Sequence, residues 1–591
     1  LSLEDGSIEK IAGGAGGAVR PQVSPDGKML AFVKRVRLKS ELFVQDLETG
    51  EEFPVYDDLS RDQQETWAIF GVYPNFNWLP DNRTIVFYAK GKIRKVDIYT
   101  QMSEEIPFNV SVKQNITEAL DFNNSVFKDQ FQVKMVRQLT TSPDGKKVAF
   151  NAAGYIYIKD LPNGTPVRVT DETDWEFNPS FSPDGKNLIY VSWNDELKGA
   201  IRKVDLTSKV VTDITQERGF YYTPKYNSKG DFIVYRKGVG NDVLGFTFSK
   251  NPGIYTISSN GGIAKLISKE GIKPQFNANG TRIYYQTKKG DKKEFKSSDL
   301  NGGNIRTHYS STYVVDFIPS PDDKWLAFKE LFDVYLTPLV NGSGSIELSS
   351  TNKSNPIKKL SKDAGDYIHW NKNSKTIHWT LGPRYYSKEI KDAFDFVEGA
   401  SNEKNKIDSA VGLPINLELK SDVPIGITVL KGARIISMKD NEVIESGTIV
   451  IDKNKIIAIG KESDISIPND AIVHNLYGKT IIPGFVDVHA HLRTSPDGIS
   501  PQQDWSYYAN LAYGVTTSHD PSSNSEMAFS QSEMIKAGRL IGPRLYSTGT
   551  ILYGADGDFK AVINNIDDAM SHLKRMQAIG AFSVKKIHCI N

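Results

Sequence analysis

A turn motif that returns eight times within the first 395 residues predicts a mainly-β fold, a seven- or eight-bladed β-propeller. Beyond a polar stretch, the pattern changes to strands and helices that predict a small β-sandwich and then the first half of a (β/α)8 TIM barrel. Two histidines at the end of one apolar strand point to a metal site. The sequence therefore predicts two different folds, one after the other along the chain.

Length and composition set the first limits. A chain of 591 residues is too long for one core, so we expect two or three domains. Lys and Arg minus Asp and Glu give 72 − 71 = +1, which offers no electrostatic reason for a nucleic-acid partner. No apolar stretch reaches the ~18–20 residues of a transmembrane segment. The single cysteine, Cys589, excludes an internal disulfide framework and a Cys-based zinc cluster.

The repeated motif is Ser-Pro-Asp-Gly-Lys. It fits a type I turn, because Pro fixes φ at the second position and Gly relieves strain at the fourth. Three full copies begin at Ser24, Ser142 and Ser182. Degenerate copies occupy residues 79–82, 227–230, 277–280, 320–323 and 371–374. Successive copies lie 40 to 63 residues apart, a period typical of propeller blades rather than of helical repeats.

A short apolar strand follows each copy and ends on an aromatic residue at the same offset from the turn. Because aromatics form only 10% of the chain, we interpret these eight as the packing layer between adjacent blades. They are Phe32, Phe87, Phe150, Tyr190, Tyr235, Tyr285, Phe328 and Trp379. Further strands such as Tyr155–Leu161 would complete each blade as an antiparallel sheet, and closing the ring would protect the sheet edges.

The period is WD40-like, but the Gly-His and Trp-Asp signature of WD40 repeats does not occur. The motifs instead resemble those of TolB-like propellers, which are themselves similar to the propellers of prolyl-oligopeptidase-type peptidases. The resemblance implies a propeller over residues 1–395 and a location outside the cytoplasm, periplasmic or secreted, although no signal peptide is visible in the chain. The eighth copy has weak outer strands, and we expect residues near the N-terminus to complete its blade.

A polar, aperiodic stretch, Ser401–Asp408, predicts a linker over residues 396–426. Residues 427–482 then read as short strands joined by tight turns, with a hairpin turn at Asp452–Asn454, which predicts the β-sandwich. The remaining residues, 483–591, are predicted to form strands 1 to 4 of the barrel.

His489 and His491 are separated by one residue at the end of the segment Phe485-Val-Asp-Val-His-Ala-His491. On a strand, side chains at i and i+2 project from the same face, so both imidazoles could reach one metal ion. The carboxyl end of a barrel strand is also where such enzymes place their chemistry. An isolated His-x-His would more often be two loop histidines, but the apolar strand and the preceding strands favour metal ligation.

Residues 427–591 resemble the amidohydrolase superfamily. The resemblance rests on Gly484–His491, Tyr513–Thr517, Gly542–Leu545 and Gly580–Lys585. It implies that His489 and His491 are the first two ligands of one or two divalent ions such as Zn²⁺. It also implies that Tyr513–Thr517 is barrel strand 2 and Leu545–Gly549 strand 3, and that an Asp from strand 8 moves the proton.

Lys585 matches the position at which this family has a metal-bridging Lys, often carbamylated, or a Glu. A helical stretch over Ile566–Ile579 and an apolar strand at Phe582–Val584 precede it, as expected for barrel strand 4. An ammonium is a poor ligand, whereas a carbamate supplies anionic oxygens. The alternative is a solvated lysine near a frayed terminus.

The other histidines are predicted not to be ligands. His519 and the adjacent Asp520 lie at the barrel mouth, but their spacing matches no ligand set, and His588 falls at an odd offset from Lys585. Three more, His308, His369 and His378, belong to propeller strands and are expected to be packing or surface residues.

A complete barrel needs about 250 residues, and only 111 run from Ile481 to Asn591. We therefore expect this chain to be an N-terminal fragment of a longer hydrolase. The strand-8 Asp would lie beyond its end, and the chain alone would be inactive.

Three functional classes follow. The first is a metal-dependent hydrolase of carbon–nitrogen bonds, in amides, peptides or cyclic amides, whose propeller docks or filters a small-molecule or peptide substrate. The second is a non-catalytic propeller that binds a peptide or protein, with an inert barrel remnant. The third, a serine peptidase of the prolyl-oligopeptidase type, ranks last because no Gly-x-Ser-x-Gly elbow occurs in the chain.

Overall fold

The computed structural model describes residues 2–37, 39–60, 75–116, 125–240, 243–244, 250–340, 342, 344–400, 412–495, 498–553, 561–563 and 565–587. The chain divides into two compact units, residues 1–124 and 125–591. Strands dominate both units, and the α-helices of the described residues belong to the second. A search of the described helices finds none with the length and apolarity needed to cross a membrane.

The first unit contains two four-stranded antiparallel sheets. Their strands are β1 (Val19–Val23), β2 (Met29–Val36), β3 (Lys39–Asp46), β4 (Glu52–Tyr56), β5 (Asn77–Trp78), β6 (Thr84–Ala89), β7 (Lys92–Asp97) and β8 (Ser103–Ile106). One buried cluster joins the sheets, with Val33 and Leu42 packed with Ile85 and Phe87. The Trp78 indole also donates to the carbonyl of Gln22 across the sheets, at 3.0 Å. The two sheets therefore pack as neighbouring blades.

The second unit begins with β9 (Gln130–Gln132) and continues with six propeller blades, A to F. Blades A to C are formed by β10 (Arg137–Thr141), β11 (Lys147–Ala152), β12 (Tyr155–Asp160) and β13 (Val167–Arg168); β14 (Trp175–Phe181), β15 (Asn187–Trp193), β16 (Ala200–Asp205) and β17 (Val211–Asp213); and β18 (Tyr221–Tyr226), β19 (Phe232–Lys237), β20 (Gly253–Ser258) and β21 (Lys265–Ser268).

Blades D to F use the same meander. Blade D contains β22 (Ile272–Phe276), β23 (Arg282–Lys289), β24 (Lys292–Asp299) and β25 (Arg306–Ser311), and blade E contains β26 (Val314–Pro319), β27 (Trp325–Glu330) and β28 (Asp333–Pro338). Two short strands follow: β29 (Ile346–Glu347) pairs with β25 of blade D, and β30 (Lys358–Lys359) pairs with β28 of blade E. Blade F contains β31 (Asp366–Trp370), β32 (Thr376–Leu381), β33 (Arg384–Glu389) and β34 (Leu413–Pro414). A 3₁₀ turn at Ile390–Asp392 follows β33.

The repeated motif forms the turn between the first two strands of a blade, as predicted. In the full copies, Gly27, Gly145 and Gly185 each donate their N–H to the carbonyl of the motif's Ser at 2.9 Å. Their φ angles are 75°, 74° and 72°, values that L side chains rarely adopt. The Ser hydroxyl donates a hydrogen bond to the Asp carboxylate, at 2.6 Å in the first two copies, and this bond stabilises the turn.

The eight predicted aromatic residues are all buried, none more than 5% exposed. Tyr190 packs between blades A and B, Tyr285 between C and D, and Trp379 between E and F. The prediction of an inter-blade aromatic layer is confirmed for these positions, because each ring fills the space between two sheet faces.

Blades A to F close a ring. Contacts pass from each blade to the next, and at the seam Thr141 of blade A bonds both His369 Nε2, at 2.7 Å, and the Tyr385 hydroxyl, at 3.1 Å, of blade F. The prediction was one ring of seven or eight blades over residues 1–395. The structure instead has a closed ring of six, with two further blades in a separate compact unit.

The fourth strand of blade F is β34, not a segment from the N-terminus as expected. The following strand, β35 (Glu418–Lys420), pairs antiparallel with β9. This pairing joins the segment that follows blade F to the segment that precedes blade A. Of the predicted linker, residues 412–420 thus belong to the ring, and 401–411 lie outside the described residues.

Each innermost blade strand carries a register shift that the sequence did not predict. In five blades one residue there has φ between 48° and 54°; these are Gln138, Asn178, Thr223, Lys273 and Tyr367. The Gln138 side chain accepts the Asn178 N–H at 2.7 Å, and the Asn178 side chain accepts the Thr223 N–H at 3.2 Å. These bulges let neighbouring blades satisfy each other's main chain.

Residues 427–482 form one sheet rather than the expected two-layer sandwich. Its strands are β36 (Ile427–Ile436), β37 (Val443–Asp452), β38 (Lys455–Lys461), β39 (Ile472–Asn475) and β40 (Thr480–Ile481), with a 3₁₀ turn at Glu462–Asp464. The order is β38-β37-β36-β39, and β40 also pairs with β36. The predicted hairpin at Asp452–Asn454 is present between β37 and β38.

The remaining residues alternate strands and helices. They are β41 (Phe485–Asp487), α1 (Trp505–Ala512), β42 (Val515–Asp520), α2 (Ser525–Lys536), β43 (Arg544–Ser547), β44 (Leu552–Tyr553), β45 (Ala561–Val562), α3 (Ile566–Ile579) and β46 (Lys586–Ile587). Two parallel three-stranded sheets result, β41-β42-β43 and β45-β44-β46. The helix prediction over Ile566–Ile579 is confirmed to the residue. The strand predicted at Phe582–Val584 is found later, at β46, beyond Lys585. In the described residues these βα units form two separate parallel sheets.

Candidate functional site

Three parallel strands, β41 to β43, bring their carboxyl ends to one edge of a sheet. Asp487 of β41 lies opposite Ser518, and Asp520 of β42 lies opposite Ser547 of β43. In parallel β/α folds this edge carries the chemistry, because loops after successive strands converge there. His489 and His491 follow β41 at this edge, in the turn that begins where the strand ends.

The two predicted metal-binding histidines lie side by side. Their ring centroids are 5.1 Å apart with the ring planes at 80°, and both side chains are exposed. Two main-chain bonds shape the turn that carries them. The His489 N–H donates to Asp487 Oδ1 at 3.0 Å, and the Ala490 N–H donates to the carbonyl of His519 at 3.0 Å. The turn, rather than the alternation of a strand, therefore brings the imidazoles together.

Asp520, which the sequence analysis placed at the barrel mouth without a role, contacts one of the two histidines. Its side chain is 3% exposed, and Oδ1 lies 3.3 Å from His491 Nδ1. The carboxylate also accepts the N–H groups of Leu492 at 3.3 Å and Ser522 at 3.2 Å. Burial raises the pKa of Asp520, and the N–H of Ser522 and the imidazole of His491 act in the opposite direction. A carboxylate held in this way accepts Nδ1–H of a neutral imidazole and leaves Nε2 free as a ligand.

A sequence signal for Asp520 did exist. It is the last residue of an apolar-to-polar strand that runs parallel to the histidine strand, so its side chain had to reach the same edge. Spacing along the chain could not show this, since the partner is 29 residues away.

Lys585 is hydrogen-bonded to β44, which is not a strand of the β41-β42-β43 sheet that carries the histidines. Its carbonyl accepts the Leu552 N–H at 2.9 Å, next to the pairing of β44 with β46. The preceding residues turn towards β42, where Ser583 Oγ lies 2.9 Å from His519 Nε2. No contact of Lys585 with either imidazole is recorded in the described part of the chain. A search of those same residues finds no group of three or more His, Cys, Asp or Glu side chains able to hold a metal.

His308 and His378 are packing residues of the propeller, as predicted. His308 and His378 are buried in the propeller, bonded to Ser297 at 2.8 Å and to Tyr385 at 2.7 Å, and burial lowers the pKa of each to about 4. His369 belongs to the seam between blades A and F. His588 lies outside the described residues.

The loops that follow β41 and β42 rest on the six-bladed ring. Arg137, 1% exposed, donates to Glu526 Oε1 in the first turn of α2 at 2.9 and 2.7 Å, and its guanidinium also donates to the carbonyl of Gly498. The Trp175 indole donates to the carbonyl of Pro501 at 3.2 Å. The ring therefore contacts the segment that follows the histidines and the first turn of α2.

A second anchor of α2 is a carboxyl group. Glu533 Oε1 accepts the N–H of Lys134 at 2.7 Å and of Met135 at 3.3 Å, where the chain enters blade A. Burial raises the pKa of Glu533 to about 7, against the lowering effect of these N–H donors.

Comparison with known proteins gives distant similarities. No family model matches the chain. The uncharacterized peptidase YuxL of Bacillus subtilis (strain 168) is 23% identical over 198 residues, which is 29% of this chain and 28% of that protein. The chain thus matches less than a third of that relative's length.

Among solved structures, the chain is similar to TolB from Acinetobacter baumannii, at 20% identity and a TM-score of 0.24 over 47% of this chain and 62% of that one. It is similar to tricorn protease, at 13% identity and a TM-score of 0.30 over 77% and 45%. It is also similar to a prolidase solved with N-methylphosphonate-L-proline, at 22% identity and a TM-score of 0.23 over 27% and 46%.

Proposed function

We propose that the protein is part of a metal-dependent hydrolase that acts on carbon–nitrogen bonds, in amides, peptides or cyclic amides. The observation that carries this proposal is the pair of imidazoles 5.1 Å apart at the carboxyl edge of β41–β43, one of them bonded through Nδ1 to buried Asp520. Exposed histidines supported by a buried carboxylate are typical of metal ligands.

The residues present supply part of a ligand set for Zn²⁺. His489 and His491 offer two nitrogen donors, the chemistry that zinc prefers, whereas a structural or catalytic site needs at least three protein ligands. Lys585 as a carbamate would be the third in this proposal. A bound divalent ion would lower the pKa of a water molecule to about 7 and polarise the scissile carbonyl. Asp520 would hold the His491 ring in the orientation that presents Nε2.

The ring has a role in the same proposal. Gly498 and Pro501, in the segment that follows β41, accept hydrogen bonds from Arg137 and Trp175 of the ring. The ring would thus dock or filter the substrate. YuxL, the distant relative, is described as a peptidase, which agrees with this class of reaction.

Zinc titration of the full chain against a chromophoric chelator tests the metal proposal. We expect weak binding, as two imidazoles predict, lowered at least tenfold by His489→Ala and by His491→Ala. His474→Ala is the matched control, because His474 is an exposed histidine on β39. Unchanged zinc affinity in both site variants would contradict the proposal.

Activity decides between the hydrolase and the non-catalytic alternative. Dipeptides and N-acyl amino acids are assayed with the full-length gene product, with zinc present and after chelation. Zinc-dependent turnover that is lost in the histidine variants supports the hydrolase. Zinc binding without turnover favours the propeller as a peptide- or protein-binding module.

Location belongs to the same proposal. The turn motifs resemble TolB-like propellers, from which we infer a periplasmic or secreted protein. Fractionation of cells that express the gene from its own start tests this, and recovery in the cytoplasmic fraction alone would contradict it.

A further inference from the structure

A second site lies on the ring, at the edge opposite the helices. It is a cavity of about 370 Å³ between blades B and C, formed by residues 182–184 and 228–230 of the repeated turns and by Ser259 and Asn260. In an antiparallel blade these turns share one edge, whereas the Trp193–Gly199 hairpin that contacts Gln502 lies at the other. The cavity is therefore separate from the histidine site.

The cavity wall is cationic. Three lysines line it, Lys203, Lys229 and Lys372, against one carboxylate, Asp184. The Asp184 side chain is already engaged by its own turn, since its Oδ1 accepts from the Ser182 hydroxyl and from the Lys186 N–H. The cavity thus holds an excess of about two positive charges.

Two of the ammonium groups are positioned by neutral oxygens rather than by acids. Lys203 Nζ donates to the carbonyl of Ser259 at 3.1 Å and to Asn260 Oδ1 at 3.4 Å. Lys372 reaches across from blade F and donates to the carbonyl of Pro183 at 3.1 Å. These bonds fix the direction of each side chain and leave its charge unneutralised, so the remaining N–H donors are available to an anion.

Two further donors at the cavity have no partner among the described residues. Lys229 makes no hydrogen bond or ion pair there, and the hydroxyl of Tyr226 is shielded from solvent without a hydrogen bond. A buried hydroxyl without a partner costs free energy, and a ligand oxygen would satisfy it.

We propose that this cavity binds a small oxyanion of about two negative charges, a phosphoryl group or a dicarboxylate. Its volume lies in the range of small-ligand sites. The lysines would surround the anion from strand β16 and from two turns, with Lys229 as the third donor. The site goes beyond the proposed hydrolase and does not depend on it.

Calorimetric titration of the full chain with inorganic phosphate and, separately, with malonate tests the proposal at constant ionic strength set by NaCl. We expect saturable binding of one anion per chain, weakened at higher salt because the pairs are solvent-exposed. Preference for phosphate identifies a phosphoryl ligand, and preference for malonate a dicarboxylate. Saturable binding of neither probe overturns the proposal.

Variants separate a built site from diffuse surface charge. Lys229→Ala removes one charge-assisted hydrogen bond and should weaken binding about tenfold, with the unfolding midpoint unchanged because Lys229 has no partner in the described chain. Asp184→Asn should strengthen binding. Lys186→Ala is the matched control, an exposed lysine of the same turn outside the cavity. Equal losses in Lys229→Ala and Lys186→Ala, or none in Lys229→Ala, would overturn the site.

Discussion

At the scale of single residues, Asp520 decides how the candidate site is built. Its buried carboxylate contacts the ring of His491 and two main-chain N–H groups of the same edge, so it fixes both the imidazole and the turn. The histidines themselves are exposed and carry little of the stability. The orientation of His491 as a metal ligand would thus depend on Asp520, a buried residue.

Replacing Asp520 should weaken zinc binding in a graded way. Asp520→Asn keeps an oxygen acceptor but loses the charge, and Asp520→Ala loses both. We expect zinc affinity to fall in the order Asp, Asn, Ala, by about tenfold or more for Ala. The chelator titration measures this, with the unfolding midpoint of each variant recorded alongside. Equal zinc affinity for wild type and Asp520→Ala would refute the positioning role.

Glu533 makes the stability of the second unit depend on pH. The pKa of Glu533 is about 7 in the folded chain, against 4.5 for an exposed glutamate. The folded state therefore holds a proton that the unfolded state releases between these values. The contribution is fully present below pH 4.5 and is lost as pH rises through 7.

Glu533→Gln should remove this dependence. The amide oxygen can still accept the N–H groups of Lys134 and Met135, and no charge is buried at high pH. We expect the variant to be more stable than wild type at pH 8, by up to about 3 kcal/mol, and close to it at pH 5. Urea unfolding at both pH values measures the difference, with the exposed Glu196→Gln as control. A variant less stable at pH 8 would contradict the assignment.

At the scale of elements, α2 is the helix that ties the parallel strands to the ring. Its N-terminal turn is held by Arg137 through Glu526, and its C-terminal half by the Glu533 carboxyl group at blade A. After the helix, Arg539 donates to the carbonyl of Ala153 at 2.8 Å. One helix therefore carries polar contacts to the ring at both ends.

Removing the Arg137 guanidinium should loosen this attachment. Arg137→Ala leaves the Gly498 carbonyl, Ser530 and the Glu526 carboxylate without their shared donor. Breaking a buried pair from one side costs about 3–5 kcal/mol. We expect a loss near the lower figure, because Glu526 is 34% exposed. Denaturant unfolding measures it, and the exposed Arg544→Ala should have little effect. Stability equal to that of the control would show that apolar packing alone holds α2.

At the scale of the whole molecule, the first compact unit contains two blades, and the second contains the closed ring of six. The second unit closes its ring through side chains at one seam, where Thr141 meets His369 and Tyr385. The His369 and His378 rings stack with centroids 5.1 Å apart behind that seam. The innermost strands have edges that face the centre of the ring, where radial repetition leaves only short, protected edges.

Thr141→Val tests the seam. Valine has the shape of threonine but cannot bond His369 or Tyr385, so two buried polar groups lose a partner. We expect a loss of about 1–3 kcal/mol in the unfolding free energy, and none for Thr212→Val, which alters an exposed threonine of β17. An unchanged stability in Thr141→Val would mean that the seam is held by apolar contacts alone.

The sequence by itself determined the features that repeat or act locally. The turn motif, the aromatic at a constant offset from it, the hairpin at Asp452–Asn454 and the helix Ile566–Ile579 all follow from backbone preferences and periodicity, which neighbours in the chain decide. It also singled out His489 and His491. Three features depended on tertiary structure: the ring closed at six blades by the Thr141 seam, β34 as the fourth strand of blade F, and Asp520 beside His491. Each joins residues far apart in the chain, and the free energy of such contacts depends on which surfaces meet after the strands have formed.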